Sequence, residues 1–235
     1  MGGTGIARTI IGIIGNVISA CLFLSPIPTI RKVVKAKSVQ EYKPDPYVAT
    51  VLNCAMWSFY GMPFVSPDDI LVLTINGAGL VLELAYVGIF ILYSNWGLRK
   101  KILIALLIET IFMTVVVLIT ILAIPDTDGR SMLVGIVSII FNIIMYTAPL
   151  TVMQRVIKTK SVKYMPLALS VASFSNAVIW TIYALLKFDP YLLVPNALGG
   201  ISGAVQLILY AWFYRTTNWE EEYERSSVQM SESTP

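Results

Sequence analysis

The sequence predicts an all-α integral membrane protein with seven transmembrane helices, arranged as two parallel three-helix bundles joined by an inversion linker helix (3+1+3). Three observations predict this fold class. Of the 235 residues, 56% are hydrophobic and only 13% are charged, about half the charge that is usual in a soluble domain. Seven apolar stretches are long enough to cross a bilayer. The first three of these stretches also resemble the last three.

The predicted spans are separated by short polar loops. In lipid each must be a helix, because its backbone groups have to be paired within the segment or against neighbours. The first is too long for the apolar core of a signal peptide, so we count it as a span. The spans cover approximately residues 6–30, 47–65, 69–93, 102–124, 132–153, 166–186 and 191–214.

Basic residues predict the orientation of the bundle. Fourteen of the 17 Lys and Arg residues lie in alternate loops or after the last span. The other loops carry five of the six Asp residues. Because loops rich in Lys and Arg stay in the cytoplasm, we expect an outside N-terminus and a cytoplasmic C-terminus. We take the plasma membrane as the setting, with an internal membrane as the alternative that the sequence leaves open. The basic loop residues are Arg31, Lys32, Lys35, Lys37, Lys43, Arg99, Lys100, Lys101, Arg155, Lys158, Lys160 and Lys163, with Arg215 and Arg225 in the tail.

An internal repeat divides the chain. An offset of 123 residues aligns Pro26 with Pro149 and the KAKSV segment with KTKSV. The offset then becomes 120 in the last helix of each repeat. Two three-helix units share one orientation only if a single span lies between them, and the fourth span supplies it. The predicted units are residues 6–95 (first repeat), 96–130 (linker helix and flanking loops), 131–215 (second repeat) and 216–235 (a polar tail that we expect to be disordered).

Polar and aromatic residues recur at equivalent depths in the two repeats. Asn76 pairs with Asn196, and Trp57 pairs with Trp180. An Asn in lipid is costly unless it is paired, and its amide suits sugar hydroxyls, which both donate and accept. The alternative is that each Asn only joins neighbouring helices. Symmetric placement on facing helices favours a ligand site between the units.

Three further sets of residues belong to this predicted site or lie beside it. Asn53 and Asn176 lie one helical turn before the two Trp residues, so they should share their face, line the same cavity and narrow it. Tyr60 and Asp189, with their repeat counterparts Tyr183 and Asp69, could hydrogen-bond across the units as an outer gate. Prolines weaken helices, and four of them near the cytoplasmic ends of the spans predict hinges: Pro26, Pro46, Pro149 and Pro166. The alternative is that they only mark helix ends, which is the simpler explanation for Pro166.

Composition excludes several classes of protein. The chain contains no His, which removes imidazole-based catalysis and His-ligated metal sites, so we expect no enzyme activity, no cofactor and no nucleic-acid partner. The intramembrane acids Glu83 and Glu109 are not paired by the repeat, which favours passive transport over proton coupling. A proton-coupled symporter stays open as an alternative. A seven-helix receptor would lack the internal repeat.

Several long strings resemble the SWEET sugar transporters of plants, over nearly all of residues 6–215. They are LSPxPT, LNCxxWxxYGxPFV, TINGxG, VIKTKSVxxMP and PNxLGxxxGxxQLILY. The resemblance implies two triple-helix bundles, alternating access, sugar moving down its gradient without ion coupling, and a homo-oligomer. It places the proline tetrad and the outer gate on the residues named above.

The resemblance also bears on which sugar is moved. In this family the positions of Leu22, Asn53, Met145 and Asn176 shape the pocket, and bulky residues there accompany monosaccharide transport. This sequence has a bulky residue or an amide at all four positions and is similar to the hexose-preferring clade. The resemblance therefore implies a hexose such as glucose as the substrate.

Overall fold

The computed structural model describes residues 3–145 and 147–219, and all regular structure in those residues is helical. The helices pack side by side around a central cavity. They are α1 (Gly3–Leu24), α2 (Ile27–Ala36), α3 (Asp45–Tyr60), α4 (Ile70–Tyr93), α5 (Trp96–Ala123), α6 (Thr127–Met145), α7 (Thr147–Thr159), α8 (Leu167–Leu185) and α9 (Pro190–Phe213).

The first predicted span is divided where it was expected to weaken. Helix α1 ends at Leu24, Ser25 and Pro26 form a turn, and α2 begins at Ile27 with Pro26 as its N-cap. A proline lacks the N–H that a continuous helix would need at that position. Helix α2 is amphipathic and buries Ile30 and Val33, so the chain continues as a second helix after the turn.

Two other spans begin earlier than their apolar residues indicate. Helix α5 starts at Trp96 because the side chain of Asn95 caps it, accepting a hydrogen bond from the Leu98 N–H. Helix α6 starts at Thr127, before the apolar run, and Oδ1 of Asp126 accepts a hydrogen bond from the Gly129 N–H at 2.7 Å. Capping groups set both starts, whereas hydropathy alone locates only the apolar part.

Within the described residues, six helical stretches are long and apolar enough to cross a membrane by length and composition. Helix α3, the second predicted span, has 16 residues and a length of only about 24 Å. Nine of those residues are buried in the protein. Because α3 is covered by neighbouring helices rather than by lipid, it has less need of a long apolar surface.

Six helices form a closed ring. In order around the ring, α1 contacts α8, α8 contacts α9, α9 contacts α6, α6 contacts α3, α3 contacts α4, and α4 returns to α1. Helices α1, α3 and α4 come from the first repeat, and α6, α8 and α9 come from the second. The two bundles therefore meet at two seams, α1/α8 and α3/α6, which are related by the repeat.

Glycine permits the closest approach inside each bundle. A Cβ added at Gly12 on α1 would lie 2.5 Å from Cδ1 of Leu71 on α4. A Cβ at its repeat counterpart, Gly135 on α6, would collide with Tyr191 on α9. Leu71 and Tyr191 are themselves repeat counterparts, so both bundles use the same contact to bring their first and third helices together.

Helix α5 lies outside the ring and packs against α3, α4 and α6. Two three-helix bundles joined by this single helix confirm the predicted fold class. The predicted tail needs a correction at its start. Thr216 donates to the Lys160 carbonyl at 2.6 Å, and the buried Thr217 accepts from the Val162 N–H at 2.9 Å, so these two residues are packed. Residues 220–235 of the tail lie outside the described residues.

The ring has two ends. The basic end carries α2 with Arg31, the loop that contains Lys43, the start of α5 with Arg99 and the turn that contains Lys163. The N-terminal end, opposite to it, carries the start of α1 and the turns before α4 and α9.

Candidate functional site

A cavity of about 230 Å³ lies at the centre of the ring. Both bundles contribute to its walls. All four members of the two predicted pairs line it, together with both flanking amides. The lining residues are Ser19, Leu22, Phe23, Asn53, Trp57, Val72, Ile75, Asn76, Asn142, Asn176, Trp180, Leu192, Pro195 and Asn196.

Asn76 and Asn196 are held in the same way. The Nδ2 of Asn76 donates to the Val72 carbonyl at 2.9 Å, and the Nδ2 of Asn196 donates to the Leu192 carbonyl at 2.8 Å. Each bond runs back one turn within the helix. It fixes the amide orientation and leaves each Oδ1 available to the cavity as an acceptor.

The second-repeat wall has an additional support. The hydroxyl of Ser19, on α1, donates to Oδ1 of Asn176 at 2.6 Å and accepts from Nε1 of Trp180 at 3.0 Å. Asn176 and Trp180 are both on α8, so these bonds cross the α1/α8 seam. Trp180 is buried, and its donor is therefore satisfied, as buried indoles require.

The first-repeat wall has no equivalent support among the described residues. The Oδ1 of Asn53 is buried without a hydrogen-bond partner. Asn142, the repeat counterpart of Ser19, donates to the Ser138 carbonyl of its own helix at 3.1 Å. The two walls are alike in residues but unlike in hydrogen bonding.

Aromatic rings extend from the cavity towards the N-terminal end. Trp57 makes an edge contact with Tyr60, with ring centroids 5.4 Å apart, and Trp180 makes one with Tyr183 at 5.1 Å. Both tyrosines are buried. The repeat thus places a Trp–Tyr pair above the cavity in each bundle.

The two residues predicted to shape the pocket differ in position. Leu22 lines the central cavity. Met145, at the described end of α6, is half-buried and is not among the residues that line this cavity or the adjoining one. The described part of the chain does not bring Met145 to the pocket, because the residues of α6 that face the cavity are one turn nearer its start.

Two tyrosine–aspartate pairs join the bundles at the N-terminal end. Tyr60 donates to Oδ2 of Asp189 at 2.7 Å, and Tyr183 donates to Oδ1 of Asp69 at 3.2 Å. In each pair the tyrosine and the aspartate come from different repeats. All four side chains are buried, so the cavity is closed towards this end.

Arg8 strengthens the second pair. Its Nη2 lies 2.7 Å from Oδ1 of Asp69, its Nη1 donates to the Asp68 carbonyl at 2.8 Å, and its guanidinium lies 4.0 Å from the centre of the Tyr183 ring. Ser66 also donates to Asp69. At the surface, Lys187 of the second bundle pairs with Asp68 of the first at 2.5 Å.

The two aspartates at this end that have altered pKa values shift in opposite directions. Burial raises the pKa of Asp189 above its ordinary value of 3.8, outweighing the hydrogen bond from Tyr60. The exposed Asp68 has its pKa lowered by the hydrogen bond from Lys187. The end therefore contains a buried carboxyl with a raised pKa and an exposed carboxyl with a lowered pKa.

A second cavity, of about 460 Å³, adjoins the first on the side of the basic end. The two share Leu22, Asn142, Asn176 and Asn196 in their linings. The second cavity reaches α7 and the turn before α8, including Pro149 and Pro166. The central cavity thus continues towards the basic end.

The four predicted hinge prolines are not structurally equivalent. Pro26 lies in the turn between α1 and α2. Pro46 and Pro166 lie at the starts of α3 and α8, where a proline interrupts no helix. Pro149 lies in the first turn of α7. Among the described residues, the break that we expected at all four is seen at Pro26.

The intramembrane acids lie away from the central cavity. Glu83 is buried within the first bundle, and Glu109 lies on α5 beside an apolar cleft between α3, α4 and α5. Neither lines the central cavity. In the described part of the chain, no group of three or more Cys, Asp or Glu side chains could hold a metal ion.

Sequence reasoning missed Ser19, Asn142 and Arg8. The signal for the first two was present, since the 123-residue offset aligns Ser19 with Asn142 as polar residues within a span. Arg8 aligns with Ser131 and has no basic counterpart. The repeat alone therefore offered no reason to select it.

These features define a membrane transporter: two repeated bundles enclose a central polar cavity that is closed at one end and continues towards the other. Comparison with known proteins identifies which kind. The family model described as a sugar efflux transporter for intercellular exchange (MtN3/saliva) matches residues 9–97 and 132–218. The chain belongs to this family of sugar transporters, whose members are not enzymes.

Curated relatives agree with this assignment. The chain is 60% identical over 225 residues to the bidirectional sugar transporter SWEET5 of Arabidopsis thaliana, covering 96% of this chain and 94% of that protein. It is 54% identical to Arabidopsis SWEET4, covering 96% and 90%. The first matched residues of the family model, 9 and 132, are separated by the offset of the internal repeat.

The fold also matches a solved structure. A structure of a eukaryotic SWEET transporter superposes with a TM-score of 0.87 at 37% sequence identity, covering 90% of this chain and 99% of that chain. The resemblance stated from the sequence motifs is thus confirmed at the level of the family and of the fold.

Proposed function

We propose that the protein is a facilitative, bidirectional uniporter of a hexose such as glucose, working by alternating access with low affinity. The observation that carries this proposal is the central cavity, in which symmetric amide and indole pairs from two bundles face each other. The curated relatives are named bidirectional sugar transporters, which supports the sugar and both directions of movement.

The substrate site in this proposal is built from repeat-related pairs. Asn76 and Asn196 accept hydrogen bonds from sugar hydroxyls through their free Oδ1 atoms. The apolar faces of the sugar pack on Trp57 and Trp180. Asn53 and Asn176 add amide contacts and narrow the cavity, and Leu22 fills the side towards the basic end. Narrowing favours a single sugar ring over a disaccharide.

The transport cycle follows from the two ends. Here the Tyr60–Asp189 and Tyr183–Asp69 bonds close the N-terminal end while the cavity continues to the basic end. If the basic end is cytoplasmic, as the distribution of Lys and Arg favours, this is an inward-facing state. Rocking of one bundle against the other breaks the tyrosine–aspartate bonds and closes the basic end, with the turn at Pro26 as a flexible point.

The positions of the acids support uniport over proton symport. A proton-coupled carrier needs a titratable group in or beside the substrate path, and neither Glu83 nor Glu109 lines the central cavity. Glu83 has an unpartnered Oε2 within the first bundle, and its repeat counterpart is Gly203. We therefore assign Glu83 a structural role.

The remaining parts of the proposal concern the setting of the protein. We place it in the plasma membrane as a homo-oligomer, with the N-terminus outside. Helix α5 exposes Leu107, Ile111 and Leu122, a face that suits lipid or a second copy. We divide the chain into the first repeat, residues 6–95, the linker, residues 96–130, and the second repeat, residues 131–215. Helix α5 lies in the linker and connects the two bundles.

Sugar counterflow in proteoliposomes tests the function. Purified protein is reconstituted, and exchange of radiolabelled glucose and sucrose is measured with equal pH on both sides and with a proton gradient. We expect glucose exchange that is faster than sucrose exchange and indifferent to the gradient. Uphill glucose accumulation driven by the gradient, and lost in Glu83→Gln, would instead establish proton coupling.

A further inference from the structure

We propose that Ser19 is a positioning residue of the sugar site. From α1 of the first bundle, it holds the two cavity-lining side chains of α8 in the second bundle. This inference rests on the proposed function, because it assigns Ser19 a role in how that site binds sugar.

The geometry of the hydroxyl carries the inference. A serine hydroxyl has one proton to donate and two lone pairs. Here it donates to Oδ1 of Asn176 at 2.6 Å and accepts from Nε1 of Trp180 at 3.0 Å. The two bonds use complementary capacities of the same oxygen, so one buried side chain fixes an amide and an indole at once.

These two bonds determine which groups of Asn176 and Trp180 face the cavity. With its oxygen held by Ser19, Asn176 presents its NH2 group to the cavity that it lines. With its N–H held, Trp180 presents a fixed ring to the substrate. Both side chains would otherwise have to be ordered when sugar binds, at a cost in affinity.

The first-repeat wall shows what the site is like without this residue. Asn142 occupies the position of Ser19 and bonds to its own helix. The Oδ1 of Asn53 consequently has no protein partner among the described residues. The cavity therefore has one pre-organised wall, on α8, and one wall on α3 whose amide oxygen is free to accept from a sugar hydroxyl.

Glucose counterflow kinetics of three variants test the proposal. Ser19→Ala removes both bonds, Ser19→Thr keeps a hydroxyl, and Ser138→Ala is the matched control. The hydroxyl of Ser138 is also buried but donates only within α6, to the Val134 carbonyl at 2.8 Å. We expect Ser19→Ala to raise KM by about three- to tenfold with little change in Vmax, and the other two variants to stay near wild type.

A purely structural role for Ser19 gives a different pattern. Loss of folded protein lowers Vmax and leaves KM unchanged, because fewer molecules work normally. An unchanged KM in Ser19→Ala, or an equal rise in Ser138→Ala, would overturn the proposal.

A second readout does not depend on transport. Ultraviolet resonance Raman spectra report the hydrogen bonding of an indole N–H. Ser19→Ala should shift the tryptophan signal, and the same substitution in a Trp180→Phe background should produce no shift. No shift in either background would overturn the proposal. Because this measurement needs no sugar, a wild-type protein that failed to exchange glucose would refute the proposed function while Ser19 was still tested.

Discussion

The hydroxyl of Tyr60 lies 2.7 Å from Oδ2 of Asp189, and this bond joins the first repeat to the second at the closed N-terminal end. The equivalent bond in the other direction, from Tyr183 to Asp69, is longer at 3.2 Å, and its aspartate is shared with Arg8 and Ser66. The two bonds are therefore unequal: without Tyr183, Asp69 still has Arg8 and Ser66 as donors, whereas without Tyr60, Oδ2 of Asp189 loses its donor.

Tyr60→Phe should open the N-terminal end. The substitution leaves Oδ2 of the buried Asp189 without its donor, which costs the closed state about 1–3 kcal/mol. Tyr183→Phe should have a smaller effect, because Asp69 keeps Arg8 and Ser66. Spin labels on Phe64→Cys and Phe188→Cys, in a background lacking Cys21 and Cys54, report the separation of the bundles by double electron–electron resonance. Equal distance distributions for the two Tyr variants would contradict this ranking.

Arg8→Gln should destabilise the protein. It leaves the buried carboxylate of Asp69 without its cation, and breaking one side of a buried ion pair costs about 3–5 kcal/mol. Lys187→Gln is the control, since its pair with Asp68 is exposed and worth about 1 kcal/mol or less. Thermal unfolding in detergent, followed by size-exclusion chromatography, measures both. Adding Asp69→Asn to Arg8→Gln should restore part of the lost stability. The prediction fails if Arg8→Gln and Lys187→Gln unfold at the same temperature.

Asp189→Asn should change how stability depends on pH. Burial raises the pKa of Asp189 above 3.8, so the folded state binds a proton at this carboxyl more readily than the unfolded state does. The free energy of unfolding therefore falls as pH rises from the ordinary pKa through the raised one, and stays lower above it. The Asn variant lacks this titration, so its unfolding midpoint relative to wild type should rise between pH 4.5 and pH 7.5. A difference that is constant with pH, or that shrinks, would argue against a raised pKa.

Asn76→Ala and Asn196→Ala should each abolish glucose counterflow. Each removes an acceptor that the structure leaves free in the cavity. Asn16→Ala is the control: Asn16 is also an intramembrane Asn, bonded to Thr74 at 3.1 Å, but it does not line the cavity. Counterflow by the purified variants, normalised to folded protein, checks the result. Near-normal flux in both cavity variants would remove these residues from the site.

Substituting Ser for both Asn53 and Asn176 should relax the choice of sugar. Smaller side chains widen the cavity on opposite walls, so sucrose counterflow should rise relative to glucose counterflow. Met145→Val is an informative companion, since Met145 lies outside the cavity lining and should alter the ratio less. A sucrose-to-glucose ratio that stays at the wild-type value in the double variant would show that these amides do not limit the size of the substrate.

Much of the fold could be predicted because it depends on patterns that one sequence contains. Apolar length located the spans, and the repeat fixed their grouping, since Pro26, Pro149 and the KxKSV segments align without any structure. Helix starts were harder to predict. Asn95 adds a polar first turn to α5 by capping it, and hydropathy does not detect a cap.

The sequence predicted which residues line the site but not the hydrogen bonds that join them. The repeat selected Asn76, Asn196, Trp57 and Trp180, and all four line one cavity. It could not show that Ser19 would bond across the seam while Asn142 would bond within its helix, because that difference arises from how the bundles pack. Met145 illustrates the same limit: the family resemblance named it beside Leu22, and it is not among the residues that line the cavity.

The position of α5 makes the two seams mechanically different. This helix packs on α3, α4 and α6 beside the α3/α6 seam, and its Phe112 contacts Phe141 of α6 with ring centroids 5.2 Å apart. At the depth of the cavity, the opposite seam is crossed instead by the hydroxyl of Ser19. Apolar contacts are non-directional and tolerate sliding, whereas a hydrogen bond is either made or broken. Relative rotation of the bundles should therefore break a hydrogen bond at the depth of the cavity at α1/α8. At α3/α6 a hydrogen bond lies nearer the N-terminal end, where Ser131 donates to the Val65 carbonyl.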